Sequence, residues 1–512
     1  MVLPQRAFLE ENADLRTDET AIRSVDADET LSYGEFDEQV NRLANGLRER
    51  GLRPSDRVAM ALHNTVEFLV TMYACHKLGL VAVPINYRLS AGEVQTILDD
   101  ANVAAVIYDA AFADTVEPAA NDSIRERAPI RVGGSGEAES YETVLESGST
   151  ERPPPIDQGP DEPTYLIYTS GTTGRPKGVV HTVSSARERT LAAIISFDID
   201  PDSVVLSQLP YFHGGGLDAA LRSSLTVGAE LVVSSAYADP DLSLDTIDRH
   251  GVTHVVGIPT VSRRMIEQGD VDAYDLSSIE CWYHTGEVML EDRAREFQSE
   301  LTPNVINSYG SSEGGFITVL RSDALTEQAG TVGKPTLGTR IRVIDLDVDG
   351  QADPSRTVPR GEEGEVIIES DQLFDKYFQN ATATSEAFRE GWYYTNDLGF
   401  VNDDGYLKIT GRVDDVIISG GELIAPAEVE EILERHRAVY EAVVVGERDD
   451  EWGERVAAFV DPDGDVTADE LDAFCRDEAD LAAYKRPRSY EFVDEIEHTE
   501  SGKKSRSTYR KH

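Results

Sequence analysis

Short apolar runs rich in β-branched residues alternate with amphipathic stretches along most of this chain. Residues 103–108, 165–168, 204–207, 231–234 and 254–258 are short and predominantly apolar, the pattern of strands buried on both faces. Between them, residues 36–50 and 184–195 read as helices. This alternation predicts an α/β fold with largely parallel sheets. The proline-rich segment 150–163 reads as a loop between subdomains. Beyond about residue 336 the pattern changes. Residues 340–344 and 365–369 read as strands of a smaller β unit, and Asp403-Asp404-Gly405 as the turn of a hairpin joining 400–401 to 406–409. From about residue 415 an α/β alternation resumes, with strands at 416–418, 442–445 and 456–460 and a helix from Pro426.

Composition bounds this picture. A chain of 512 residues suggests about three or four folding units. Forty per cent hydrophobic residues suffices for large cores and argues against disorder. The 95 Asp+Glu outnumber the 47 Lys+Arg, for a formal net charge of −48. Such a surface repels nucleic acid and anionic membranes. Acid spread evenly along a lysine-poor chain suits a salt-rich cytoplasm, where salt screens self-repulsion. Cys75, Cys281 and Cys475 lie far apart with no metal-ligand spacing, so neither a disulfide framework nor a zinc site is expected. The N-terminus has no apolar signal region, and the longest apolar stretch, 78–85, is far shorter than a membrane span. The expectation is a soluble cytoplasmic protein, its assembly as monomer or homodimer left open.

The chemistry concentrates first at residues 168–178, YTSGTTGRPKG. Gly171 and Gly174 let the backbone curl so that N–H groups point at an anion. Thr169, Ser170, Thr172 and Thr173 add hydroxyl donors, and Lys177 a mobile positive charge. A helix is expected to follow, its N-terminus favouring phosphate. The string is not a Walker A loop, because Lys177 is preceded by Pro176 and followed by Gly178. The alternative, a Gly/Ser/Thr surface turn, suits GTTG alone better than the whole string.

YTSGTTGRPKG resembles the phosphate loop of the adenylate-forming superfamily, which includes acyl-CoA synthetases, adenylation domains of peptide synthetases and luciferases. The family's other motifs follow in order over nearly the whole chain. PYFHGGG, residues 210–216, resembles the next one, which implies that His213 borders the acyl pocket and that Gly214 and its neighbours leave room for substrate. TGEVM, residues 285–289, resembles the adenine-contacting turn, implying contacts from Gly286 and Glu287, with Val288 where relatives carry Pro. NSYGSSE, residues 307–313, resembles the YGxTE motif with Ser312 for Thr. The resemblance places Asn307, Ser308, Tyr309, Gly310, Ser311 and Ser312 against the nucleotide. Asn307 suits the adenine amino group and Tyr309 stacking. Glu313 is implied as the Mg²⁺ ligand, a hard oxygen donor.

The C-terminal part continues the series. GWYYTNDLG, residues 391–399, resembles GWxxTGD, with Asn396 for Gly and Asp397 as the implied ribose ligand. Asn tolerates a left-handed backbone better than most residues, so that replacement is mild. Residues 411–430, GRVDDVIISGGELIAPAEVE, imply Arg412 near ribose and phosphate, Asp414 at the hinge, and Gly420-Gly421 beside the pantetheine of CoA. TESGKKSR, residues 499–506, resembles the terminal SGK motif, which makes Lys503 rather than Lys504 the implied catalytic lysine.

The resemblance implies a large N-terminal domain of α/β subdomains plus a small β unit (1–411), a hinge (412–415) and a mobile α/β C-terminal domain (416–512). It implies an AMP-forming ligase using ATP, Mg²⁺ and CoA. The substrate carboxylate attacks the α-phosphorus, and a thiol then displaces AMP after the small domain rotates. Gly310 stands where acetate-specific relatives carry a Trp, so the acid is expected to be larger than acetate, fatty or aromatic. Competing readings are an adenylation enzyme loading a separate acyl carrier protein, a luciferase-like oxidase, and a non-catalytic nucleotide or acyl-CoA sensor.

Overall fold

The computed structural model describes residues 4–120, 124, 129–136, 138–169, 176–236, 239–286, 289–346, 353–419, 422–449, 452–477, 481–482, 484–498 and 504–510, and every count or absence below is of these residues. The chain forms two compact units, Met1–Arg340 with Ile368–Tyr393, and Ile341–Ile367 with Tyr394–His512.

The first unit holds two sheets. A nine-stranded sheet runs in the order Lys334–Pro335, Gly315–Leu320, Val305–Ser311, Cys281–Thr285, His254–Gly257, Val204–Ser207, Glu230–Val233, Thr20–Ser24 and Glu29–Ser32. Its central strands are parallel, and its edges are antiparallel hairpins. An eight-stranded sheet runs Lys376–Tyr377, Lys177–Thr182, Pro163–Thr169, Val81–Pro84, Arg57–Ala61, Ala105–Asp109, Ile130–Val132 and Glu139–Ser140. The strands read from sequence at 165–168, 204–207, 231–234 and 254–258 all lie here, shifted by a residue or two at their ends.

Local sequence explains the helices between the strands. Ser32 and Glu35 form a reciprocal capping box that starts the helix Tyr33–Glu49. Phe36, Val40, Leu43, Ala44 and Leu47 then recur at helical spacing, and all are fully buried. Thr182 caps the helix Val183–Phe197 in the same way. The three cysteines are free and buried, and burial pushes the Cys75 and Cys281 thiols up to about 12, which leaves them inert. No helix is long and apolar enough to cross a membrane.

One expectation fails. No helix follows the phosphate loop directly. Residues 177–182 form a strand, paired on one side with Pro163–Thr169 and on the other with Lys376–Tyr377. Its buried Val179 and Val180 favour an extended chain between two neighbours over a helix. The loop therefore joins two antiparallel strands, with Thr169 and Lys177 in register.

In the second unit, the strand residues 397–401 pair with 407–412 across a turn in which Gly405 has φ +83°. A five-stranded sheet is centred on Gly453–Pro462, flanked by Val439–Asp449, Ile417–Ser419 and Ser489–Phe492, with Glu422–Ile424 at the edge. The helix Pro426–Glu434 packs its Val429, Ile432 and Leu433 onto this sheet.

Candidate active site

The NSYGSSE segment lies within one long hairpin. Strand Val305–Ser311 turns through residues 312–314 into Gly315–Leu320. Asn307 is fully buried and Ser308 nearly so, whereas Gly310 and Ser311 are exposed, so the segment emerges from the sheet as it approaches the turn. Ser308 Oγ donates to Tyr283 Oη at 2.8 Å, and Thr285 Oγ1 donates to the Ser308 carbonyl at 3.3 Å. A Cβ on Gly310 would lie 2.1 Å from the Gly315 carbonyl oxygen, and Gly315 has φ +75°. Two glycines are thus required for the strands to approach this closely.

Glu313 sits on the turn. Its carbonyl accepts from the Phe374 amide at 3.0 Å, and its Oε1 accepts from Tyr377 Oη at 3.0 Å. The Gly314 amide donates to Ser311 Oγ at 2.8 Å. Arg189 holds the same turn from beneath. Its Nη1 donates to the Ser312 carbonyl at 3.0 Å and its Nη2 to that of Ser311 at 3.4 Å. Its Nε donates to Asp218 Oδ2 at 2.8 Å. Asp218 has no exposed surface and also accepts from Tyr165 Oη at 3.0 Å, with Arg222 Nε at 3.5 Å. Burial opposes the charge on Arg189, but Asp218, Tyr165 and Glu313 outweigh it and raise its pKa.

The PYFHGGG segment leads into a π-helical turn, Gly215–Arg222, which carries Asp218. Removal from bulk water, helped by Arg88, lowers the His213 pKa to about 4, so its ring is neutral at physiological pH. His213 is nevertheless an exposed residue, and its ring packs against that of Phe212 with centroids 4.6 Å apart. The glycines beside it are closely approached by neighbouring atoms. A side chain on Gly214 would meet Arg189 Nη2 at 3.2 Å, and one on Gly216 would meet the Pro210 carbonyl at 2.5 Å. At Gly216 the space is filled by the chain's own backbone.

Thr169 and Lys177 face each other across their strand pair, and Lys177 Nζ lies 5.1 Å from the centre of the Tyr377 ring. Gly286 has φ +92°, which explains a glycine in the TGEVM turn. Ser170, Gly171, Thr172, Thr173, Gly174, Glu287, Gly420, Gly421 and Lys503 lie outside the described residues.

In the second unit, Asp397 and Arg412 are register partners, and Arg412 Nη1 donates to Asp397 Oδ1 at 2.7 Å. Asn396 adopts φ +62°, the left-handed conformation that Gly would take and Asn tolerates. Its amide donates to the Asp414 carboxylate. Lys504 Nζ donates to Glu434 Oε1 at 2.5 Å and to the Ala442 carbonyl at 2.8 Å, so this lysine is engaged by its own unit.

The donor set at Glu313, one carboxylate on a partly exposed turn, fits a cation that keeps its remaining ligands from water and phosphate, as Mg²⁺ does. Arg189 and Tyr377 were not among the residues expected from sequence. Neither lies in a motif quoted above, and both reach the turn from far along the chain. The nearest available signal was Asp218, an acid inside an otherwise apolar helical run that demands a buried cation.

The sequence profile of the AMP-binding enzymes matches residues 9–378, and that of the AMP-binding enzyme C-terminal domain matches residues 428–503. The chain is 34% identical to feruloyl-CoA synthase from Amycolatopsis sp over 92% of both chains. It is 34% identical to a long-chain-fatty-acid–CoA ligase of Mycobacterium tuberculosis, covering 93% of this chain and 92% of the other. The solved structure of o-succinylbenzoate CoA synthetase from Bacillus subtilis with its acyl-adenylate intermediate superposes with a TM-score of 0.83 at 28% identity, over 99% of this chain and 98% of the other. The chain belongs to the AMP-binding enzymes, the adenylate-forming superfamily that its motifs resemble.

Proposed function

We propose that this protein is an AMP-forming acid–CoA ligase: carboxylic acid, ATP and CoA give acyl-CoA, AMP and pyrophosphate through an acyl-adenylate. The observation that carries this reading is the hairpin at 307–320, which holds Glu313 at a turn fixed by Arg189, Phe374 and Tyr377. In the first half-reaction the carboxylate oxygen bonds to the α-phosphorus and the bond to pyrophosphate breaks. Two anions must meet, so positive charge has to be in place beforehand. Lys177 serves the leaving pyrophosphate, and Lys503 the carboxylate and α-phosphate. The engagement of Lys504 within its own unit supports assigning that role to Lys503. Glu313 would hold Mg²⁺, which neutralises phosphate charge when bound. Asp397 and Arg412 serve the ribose. In the second half-reaction the CoA sulfur bonds to the acyl carbon and AMP leaves, with rotation about Asp414 bringing Gly420-Gly421 to the pantetheine.

The acid is larger than acetate, fatty or aromatic. A feruloyl-CoA synthase and a long-chain fatty-acid ligase among the relatives support both classes, and an apolar pocket discriminates weakly per methylene. The −48 charge supports a cytoplasmic enzyme adapted to high salt. Acid-dependent ATP–pyrophosphate exchange, run at high and low salt, tests the enzyme class. CoA-dependent AMP release separates the ligase from a carrier loader. Absence of exchange with a broad panel of fatty and aromatic acids would sink the proposal. Lys503→Ala should lower exchange by about 100-fold or more, while thioester formation from supplied acyl-adenylate persists.

A further inference from the structure

Tyr377 touches both charged residues assigned to the pyrophosphate end. It stands on the two-residue strand Lys376–Tyr377, which adds to the outer edge of the strand that begins with Lys177. The Phe378 amide donates to the Gly178 carbonyl at 2.7 Å and the Asp375 amide to the Val180 carbonyl at 2.9 Å, so backbone bonds on both sides fix the register. The Tyr377 amide donates to Thr384 Oγ1 at 3.0 Å, and its ring packs on Phe374 at 4.8 Å. The side chain is thereby clamped, and the residue is 8% exposed. From this clamp the hydroxyl donates to Glu313 Oε1 at 3.0 Å, and the ring faces Lys177 Nζ at 5.1 Å.

The arrangement solves a specific electrostatic problem. A lysine meant for phosphate and a carboxylate meant for a metal ion attract each other, and a direct pair would have to be broken before ligands bind. A phenol answers both without neutralising either. Its O–H donor satisfies the carboxylate, and the negative face of its ring attracts the ammonium.

We propose that Tyr377 is a positioning residue that aims Lys177 and Glu313 at metal–pyrophosphate and keeps them from pairing. The proposal rests on the roles given above to Lys177 and Glu313. It is tested with Tyr377→Phe, which keeps the ring, and Tyr377→Leu, which loses both contacts. The readouts are calorimetric affinity for magnesium pyrophosphate, the Mg²⁺ concentration giving half-maximal ATP–pyrophosphate exchange, and thioester formation from supplied acyl-adenylate. Tyr377→Phe should weaken magnesium pyrophosphate about 3- to 10-fold and shift the Mg²⁺ requirement upward in parallel. Tyr377→Leu should add a further factor of about 2 to 5, visible with pyrophosphate alone. Thioester formation should stay unchanged in both. If both variants bind magnesium pyrophosphate like the parent while Glu313→Gln and Lys177→Ala bind it weakly, the Tyr377 role is wrong and the site stands. If those two reference variants also bind normally, the underlying assignment falls and this proposal with it. An equal fall in both half-reactions with a lowered melting temperature would reduce Tyr377 to a packing residue and overturn the proposal.

Discussion

The turn bearing Glu313 and the pair Asp397–Arg412 are both charged, both tied by an arginine, and built on opposite principles. Beneath the Glu313 turn, the side chains of Arg189 and Asp218 are 2% and 0% exposed. In the second unit, Arg412 is 42% exposed and Asp397 14%. A buried pair is weakly screened by water and salt, whereas an exposed pair exchanges easily with solvent. The first arrangement is suited to holding a fixed geometry throughout a reaction. The second is suited to a segment that must release one partner and take another, as the ribose role proposed for Asp397 requires.

The strongest way to break this contrast is to remove one arginine from each pair. Arg189→Met leaves Asp218 with Arg222 and Tyr165 but strips the turn of its anchor, and should destabilise the protein by about 3 kcal/mol or more. Arg412→Met should lose under about 1 kcal/mol, and that loss should shrink as salt is raised. Urea midpoints at low and high salt measure both. Equal losses with equal salt dependence would erase the distinction. A smaller effect is expected at Asn396, whose left-handed backbone accepts Gly without strain. Asn396→Gly removes the amide donor to Asp414. With Asp414 in its proposed hinge role, adenylation should change less than about twofold, while the ratio of thioester formation to adenylation should rise about 3- to 10-fold. An unchanged ratio in rapid-quench kinetics would show that the bond does not restrain it.

A further test sharpens the contrast through pH. Burial lowers the His284 pKa to about 3, with Ser262 Oγ at 2.7 Å from its ring. The unfolded chain binds this proton near pH 6.5 and the folded chain does not, so the contribution falls as pH drops through 6.5 toward the folded value. Between pH 7.5 and 5.5 this amounts to about 1.4 kcal/mol. His284→Gln should flatten the stability profile by that amount, measured as urea midpoints at constant salt. A profile parallel to the parent's would mean that His284 is protonated in the fold.

Legibility in the sequence follows the same division. Strands with dense β-branched cores, such as Val204–Ser207 and His254–Gly257, were readable because local pattern and tertiary burial agree. The motif segments could be located because each is local: Asn307 to Glu313 lies in one hairpin, and Asp397 and Arg412 are opposite each other in another. The strand after the phosphate loop was not, because its conformation is set by a partner strand at 376–377. Arg189 and Tyr377 were invisible for the same reason. Their contacts with the turn span 123 and 64 residues, and nothing near either residue announces them.

The glycine pair at 310 and 315 has a consequence for how this protein can change. With a carbonyl 2.1 Å from where a Cβ would stand, no side chain enters at Gly310 unless the hairpin separates or slips. A bulky side chain at this position is therefore not one mutation away. Any change that puts one there has to reshape both strands together, so the tip of this hairpin evolves as a pair of residues rather than one at a time.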